Sequence, residues 1–207
     1  MELSDLLWGN WPEGQVEAGA DTSAASFEEM LIARCLDGED VAYDALYQRY
    51  APYIYRLVYA LLQHRQDAEE VLQDSFEYAF RRLDRYDAAR ASFKTWLYQI
   101  AVSRSRNKRR RKWVPTISLA QASGDELADR ARPQPEERLA LTQQQRAVWE
   151  ALQALSPRLR ETAILRYYEG LTFVEIGQIL DIPAKTAQSR MRLAHNKLRA
   201  LLDEEQL

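Results

Sequence analysis

An all-α protein, two small helical domains joined by a flexible linker, is the fold class this sequence predicts. Three observations carry that expectation. From Phe27 onward apolar residues recur at helical spacing, with no strand-like alternation of any length. Capping residues and prolines stand where helices would begin. Between residues 113 and 137 the periodicity lapses while Pro115, Pro133 and Pro135 appear, as expected of a linker. The chain's 207 residues leave room for one large or two small domains.

Composition narrows the function classes. A hydrophobic content of 46% beside 29% charged residues is ordinary for a folded, soluble chain. A single cysteine, Cys35, rules out an internal disulfide, and with only His64 and His195 beside it the usual Cys/His zinc set is lacking. Neither a membrane-length apolar run nor a signal-peptide pattern occurs, so a cytoplasmic protein without membrane insertion is expected. No Gly-rich phosphate loop and no nucleophile–base constellation stands out, so the expectation is a non-enzyme without cofactor or metal.

Residues 1–25 form an acidic N-terminal extension. Seven acids and no Lys or Arg lie between Met1 and Ala33, whereas the positive charge gathers near residue 108 and toward the C-terminus. Leu3, Leu6, Leu7, Trp8 and Trp11 cluster within the extension, which reads either as a disordered tail or as an apolar anchor for a basic surface.

The first domain is placed at 26–112. Phe27, Met30, Leu31 and Cys35 make a first apolar stripe that ends near Gly38. Asp40 is expected to cap a second helix, and Pro52 to break or kink it before Tyr53, Ile54, Leu57, Val58 and Leu61 resume the stripe. A third helix is expected to begin at Asp67 with Glu70 as its capping-box partner. Its inner face holds Leu72, Phe76, Ala79, Phe80 and Leu83. Its outer face carries Glu69, Glu70, Gln73, Asp74 and Glu77, of which only Glu77 has a cation at i+4, Arg81. That face reads either as solvated or as a dock for a basic partner.

Arg85 to Lys112 is the stretch the rest serves. Ser92 suits a helix cap, Phe93, Trp96, Leu97, Ile100 and Ala101 share one side, and the last turns run Arg104, Arg106, Lys108, Arg109, Arg110, Arg111, Lys112. Aromatic rings followed by dense cations suit a nucleic-acid backbone with bases stacked beside it. The plainer alternative is core aromatics and a solvated helix end.

The second domain is placed at 138–207. Helical pattern runs from Arg138 to Ala154 and restarts at Ser156-Pro157, with proline at the first helical position. Gly170 falls where a left-handed terminus is needed. Thr172 and Glu175 form a capping box, with Leu171 and Ile176 placed as the hydrophobic staple. The helix Phe173–Leu180 breaks at Asp181-Ile182-Pro183, and a last helix starts at about Ala184. Ala187, Met191, Ala194, Leu198 and Leu202 share its packed face, while Lys185, Gln188, Ser189, Arg192 and Arg199 lie opposite, with Arg190 on the flank. Helix, tight turn, helix with a polar, cationic outer face is a helix-turn-helix, and Gln, Ser and Arg can read base edges in a major groove.

With these motifs in view, residues 27–112 and 138–203 resemble bacterial RNA polymerase sigma factors. DAEEVLQDSFEYAFRRLDRYDAARASFKTWLYQIA is similar to their central domain, and LQALSPRLRETAILRYYEGLTFVEIGQILDIPAKTAQSRMRLAHNKLR to their C-terminal promoter-recognition domain. The order and short length resemble the extracytoplasmic-function group. The resemblance implies roles. Glu69, Glu70, Gln73, Asp74 and Glu77 would dock on the clamp helices of core RNA polymerase, with the flap as a further contact. Tyr86, Arg90, Phe93, Lys94, Trp96, Arg104, Lys108, Arg110 and Arg111 would take the minus-ten element of promoter DNA. Thr172, Lys185, Thr186, Gln188, Ser189, Arg190 and Arg192 would meet the minus-thirty-five element as duplex. An anti-sigma factor is the further partner implied. The alternative function is a polymerase-independent helix-turn-helix regulator that binds duplex operators. A nuclease would need clustered carboxylates, and Glu69, Glu70, Asp74 and Glu77 are spread down one helix.

Overall fold

A computed structural model of the protein describes residues 22–113 and 143–204. The acidic extension up to residue 21, the linker from residue 114, the first residues of the 138–154 helix and the last three residues lie outside the described part. Among the described residues there are helices and turns but no strand: α1 (Thr22–Leu36), α2 (Asp40–Leu62), α3 (Arg65–Arg81), a 3-10 turn (Leu83–Arg85), α4 (Phe93–Trp113), α5 (Gln143–Ala154), α6 (Pro157–Ala163) running into a π turn (Ile164–Tyr168), α7 (Phe173–Leu180) and α8 (Ala184–Glu204).

The first four helices pack as a bundle because each shows one apolar stripe. Leu46, Ile54, Leu57, Val58 and Leu61 of α2 meet Ala68, Val71 and Phe76 of α3 and Phe93, Leu97 and Ala101 of α4, all buried. Two expectations need correction. Pro52 does not break α2 into two helices; the helix runs through it. Proline removes one N–H, and here both Pro52 and Gln48, whose carbonyl loses its partner, are exposed, so water can replace the missing bond. The third helix starts at Arg65, not Asp67: His64 is the N-cap, and its ring nitrogen accepts from the Asp67 N–H.

The second set of helices closes as the local signals predict. Ser156 precedes Pro157 at the start of α6. Gly170 has φ +66° and Asp181 φ +55°, the left-handed backbone that ends a helix sharply. Thr172 and Glu175 form the reciprocal capping box. Val148, Leu152, Leu155, Leu159, Ala163, Ala194 and Leu198 make the core beneath α5, α6 and α8.

The turn between α7 and α8 depends on a missing side chain. A Cβ on Gly177 would lie 2.7 Å from the Ile182 carbonyl oxygen and 3.2 Å from the Ala184 nitrogen. These are backbone atoms and cannot swing aside. Gly177→Ala is therefore expected to destabilise the protein by about 1–3 kcal/mol, read as a lower urea midpoint at unchanged slope. An unchanged midpoint would mean that the α7–α8 angle is soft.

The two helical modules do not stand apart. Ile164, Leu165, Leu171, Ile176, Ile179 and Leu180 join the same apolar core as the first bundle. In doing so α7 lies against α4, and the π turn against α2.

Candidate nucleic-acid interface

The approach to α4 is shaped by short polar links. The Asp87 carboxylate accepts from the Ala89 N–H at 3.0 Å, and Ser92 Oγ accepts from the Thr95 N–H at 3.2 Å, the cap expected from sequence. Behind this loop Tyr86, Phe93 and Trp96 form a ring cluster with centroids 5.4–5.8 Å apart. Phe93 is a correction to its expected role. It is 0% exposed and packs on Tyr50 as well, so it supports the other two rings and offers no face to a base. Tyr86 and Trp96 are half-buried, each with part of its ring at the surface. Burial, reinforced by Glu28 and Glu29 nearby, pushes the Tyr86 hydroxyl up to about 12, so it stays neutral.

The basic end of α4 is not one patch. Helical rotation of 3.6 residues per turn sorts it into three directions. Arg104 and Lys108 face α3: Arg104 lies 4.6 Å from the Tyr78 ring centre, and Lys108 pairs with Glu70 and, at 3.5 Å, with Asp67. Burial opposes the Lys108 charge, but those two carboxylates outweigh it and raise its pKa. Arg106 and Arg109 face the second module, where both bind the Glu161 carboxylate, at 2.8 and 2.7 Å. Arg110 and Arg111 point outward and are exposed.

The acidic side of α3 is open as expected. Glu69, Glu70, Gln73 and Glu77 are exposed and Asp74 is half-buried. Glu77 pairs with Arg81, the one intrahelical pair the sequence pointed to, and Glu69 pairs backward with Arg65. Glu70 and Lys108, expected to serve different partners, neutralise each other here.

On α8, Lys185, Gln188, Ser189 and Arg192 are exposed, and Thr186 and Arg190 half-buried. The backbone carbonyl of Lys185 accepts from Ser189 Oγ at 3.0 Å. Thr172 is exposed at the start of α7 with its hydroxyl in the capping box.

Sequence reasoning missed the seam between the modules. Glu169, buried at 0% exposure just after the π turn, accepts from Arg56 at 3.2 and 2.9 Å and from the Tyr98 hydroxyl at 2.6 Å. Burial works against the Arg56 charge, and the hydrogen bonds and charge of Glu169 more than offset it. Lys94 lies over the rings of Tyr53 and Tyr98, and burial there lowers its pKa. Gln99 donates to the Gln178 carbonyl at 2.8 Å, and the Gln178 amide donates to the Arg90 carbonyl at 3.3 Å. Among the described residues no three His, Cys, Asp or Glu side chains group as metal ligands, and no helix is long and apolar enough to cross a membrane.

A four-helix bundle with an aromatic loop, joined to a helix-turn-helix, defines a class, and comparison with known proteins fills it in. Residues 46–114 match Sigma-70 region 2 and residues 151–200 match Sigma-70, region 4. The ECF RNA polymerase sigma-E factor of Escherichia coli (strain K12) is 31% identical over 188 residues, covering 84% of this chain and 96% of that protein. The ECF RNA polymerase sigma factor SigW of Bacillus subtilis (strain 168) is 28% identical over 186 residues, covering 84% and 98%. CnrH, solved in complex with the cytosolic domain of CnrY, matches with a TM-score of 0.62 and 25% identity over 86% of this chain and 97% of that one. Sigma factor RpoE of Bartonella quintana, solved with the anti-sigma factor NepR, shares the fold with a TM-score of 0.57 and 22% identity over 78% and 96%. This chain belongs to the extracytoplasmic-function group of RNA polymerase sigma factors. It is therefore a factor that directs transcription initiation with RNA polymerase, and the stand-alone operator-binding alternative is set aside.

Proposed function

We propose that residues 26–112 dock on core RNA polymerase and open the minus-ten element, while residues 138–207 read the minus-thirty-five element as duplex. The observation that carries this reading is the placement of Trp96 and Tyr86, half-exposed over a buried Phe93, at the start of the helix that ends in Arg110 and Arg111. Half-exposed rings can receive an unstacked base, and cations about four turns on can hold the phosphates that follow. The acidic side of α3 supplies the polymerase contact, and Gln188, Ser189 and Arg192 supply base-edge and phosphate contacts in a major groove. The work is strand separation driven by binding, with no covalent step, in the cytoplasm, and an anti-sigma protein is the natural restraint on it.

Run-off transcription with core polymerase and a genomic promoter library tests the whole reading, and no RNA from any template would end it. Trp96→Ala tests the opening step. Stacking on an aromatic side chain is worth about 1–3 kcal/mol per base, so the open-complex equilibrium should fall roughly 5- to 150-fold while closed-complex formation changes little. Equal loss in both steps would make Trp96 purely structural.

A further inference from the structure

We propose that Glu28, on α1, is a positioning residue for promoter opening: it braces the ring platform of Tyr86 and Trp96 from behind, through Tyr50 and Phe93. This role rests on the reading of those rings as the receiver of an unstacked base, and deepens it by naming what holds them. α1 precedes residues 46–114, the part that matches Sigma-70 region 2, so the brace comes from outside that match. A continuous path of contacts carries it. α1 packs on α2 and on the 3-10 turn Leu83–Arg85 that leads into the recognition loop. There the Tyr50 hydroxyl donates to the Glu28 carboxylate. The Tyr50 ring, 5% exposed, lies 5.3 Å from the Phe93 ring, which in turn lies 5.5 Å from Tyr86 and 5.8 Å from Trp96. Close-packed interiors transmit strain, so a shift of Tyr50 passes through Phe93 to the two half-exposed rings.

The same carboxylate serves the start of α4. Phe93 is the first residue of that helix, and its N–H is one of the four that a helix leaves without an internal partner. Ser92 takes two of the others, the Thr95 N–H on its hydroxyl and the Trp96 N–H on its carbonyl. The Phe93 N–H instead hydrogen-bonds toward Glu28 and the Tyr86 hydroxyl oxygen. One carboxylate thus ties the tyrosine beneath the platform to the helix start that carries it. A negative group there also suits the positive end of the α4 dipole.

Energetics separate this role from simple packing. Burial raises the Glu28 pKa; Arg49 from α2 and the Phe93 N–H oppose that rise, and Glu29 adds to it. A carboxyl whose folded pKa lies above its unfolded value contributes stability below the unfolded value, and that stability is lost as pH rises through the folded one. Ionised Glu28 therefore costs stability near neutral pH. Yet the ionised form is the one that accepts from Tyr50 and Phe93 together. A charge kept at a cost to stability fits a positioning group better than a packing one.

Glu28→Gln, in the full chain with core polymerase, keeps the shape and removes the charge. At about pH 8 its open-complex equilibrium should fall about 10-fold, the effect of losing one charge-assisted hydrogen bond. Closed-complex formation should be unchanged and the urea midpoint no lower than wild type. Toward about pH 5, just above the ordinary glutamate value, wild-type opening should weaken until the two proteins converge. Tyr50→Phe cuts the other end of the link and should lower opening similarly. The double variant should open no more than about 2-fold worse than the poorer single variant, since coupled sites are not additive. Wild-type opening in Glu28→Gln, equal loss in closed and open complexes, a urea midpoint lowered in step with opening, a ratio constant with pH, or multiplying effects each overturns the brace. A promoter-free measurement separates its failure from that of the base reading. In fluorotryptophan-labelled chain, the fluorine resonance that disappears in Trp96→Phe should move with pH in the wild type and stay fixed in Glu28→Gln. The same movement in both proteins overturns the brace, whereas normal opening by Trp96→Ala strikes only the base reading.

Discussion

Phe93→Ala is expected to remove about 3–5 kcal/mol of stability, as truncation of a buried phenylalanine does. The ring is 0% exposed and touches Tyr50, Tyr86 and Trp96, so its loss leaves a cavity at the point where α2, the recognition loop and α4 meet. Phe93 is also the first residue of α4, held in register by the Ser92 cap, so the cavity lies under the helix start rather than in a frayed end. Domains of this size have roughly 5–15 kcal/mol in total, so at the low end of that range a measurable fraction of the chain would then be unfolded at 37 °C. Urea unfolding of Phe93→Ala and Phe93→Leu separates packing from recognition. The leucine variant should recover most of the stability, and with it the promoter opening. A destabilisation of Phe93→Ala below about 1 kcal/mol would show that the ring is not a core residue, and would restore it as a candidate for direct base contact.

What was legible in the sequence was what is decided locally. The Thr172–Glu175 box, Gly170 in the left-handed region and the break at Asp181 each involve residues within three or four positions, and each appears where the sequence put it. The recognition face of α8 was legible for the same reason, since Ala187, Met191, Ala194 and Leu198 set its packed side. What was not legible depends on partners far along the chain. Glu161 and Glu169 read as two charges among many on helices rich in charge, and nothing local marks them for burial. Their partners lie 52 to 113 residues away. The basic run read as one patch because a line of sequence does not show direction; on the helix, residues 104 and 108 turn toward α3 while 106 and 109 turn toward Glu161. Pro52 was misjudged for a related reason. Whether a missing N–H matters depends on which way its helix face looks, and that face looks to water.

Asp74→Lys/Glu77→Lys is expected to weaken binding to core polymerase by about 100-fold, equivalent to about 2.7 kcal/mol. The two side chains lie one turn apart on the acidic face of α3, and the opposite face, with Val71, Phe76 and Ala79 buried, holds the helix in the bundle. Reversing charge on the outer side therefore leaves the packing intact. The only ion pair broken within the protein at these positions, among those described, is Glu77 with Arg81, and both are more than half exposed. Pairs of that kind contribute less than about 1 kcal/mol. Close charge pairs across an interface couple far more strongly, at roughly 1.5–7 kcal/mol, so the loss should appear in affinity and not in the unfolding midpoint. Glu70 is left unchanged on purpose: its reversal would set a second ammonium beside Lys108 and confound docking with DNA binding. The wild-type affinity should also fall as salt rises from 50 to 300 mM (a range chosen as about 2.5-fold in screening length), and the variant's should fall less steeply. Affinity for core polymerase equal to wild type, in a folded double variant, would remove the acidic side of α3 from the interface and leave its charges as simple solvation.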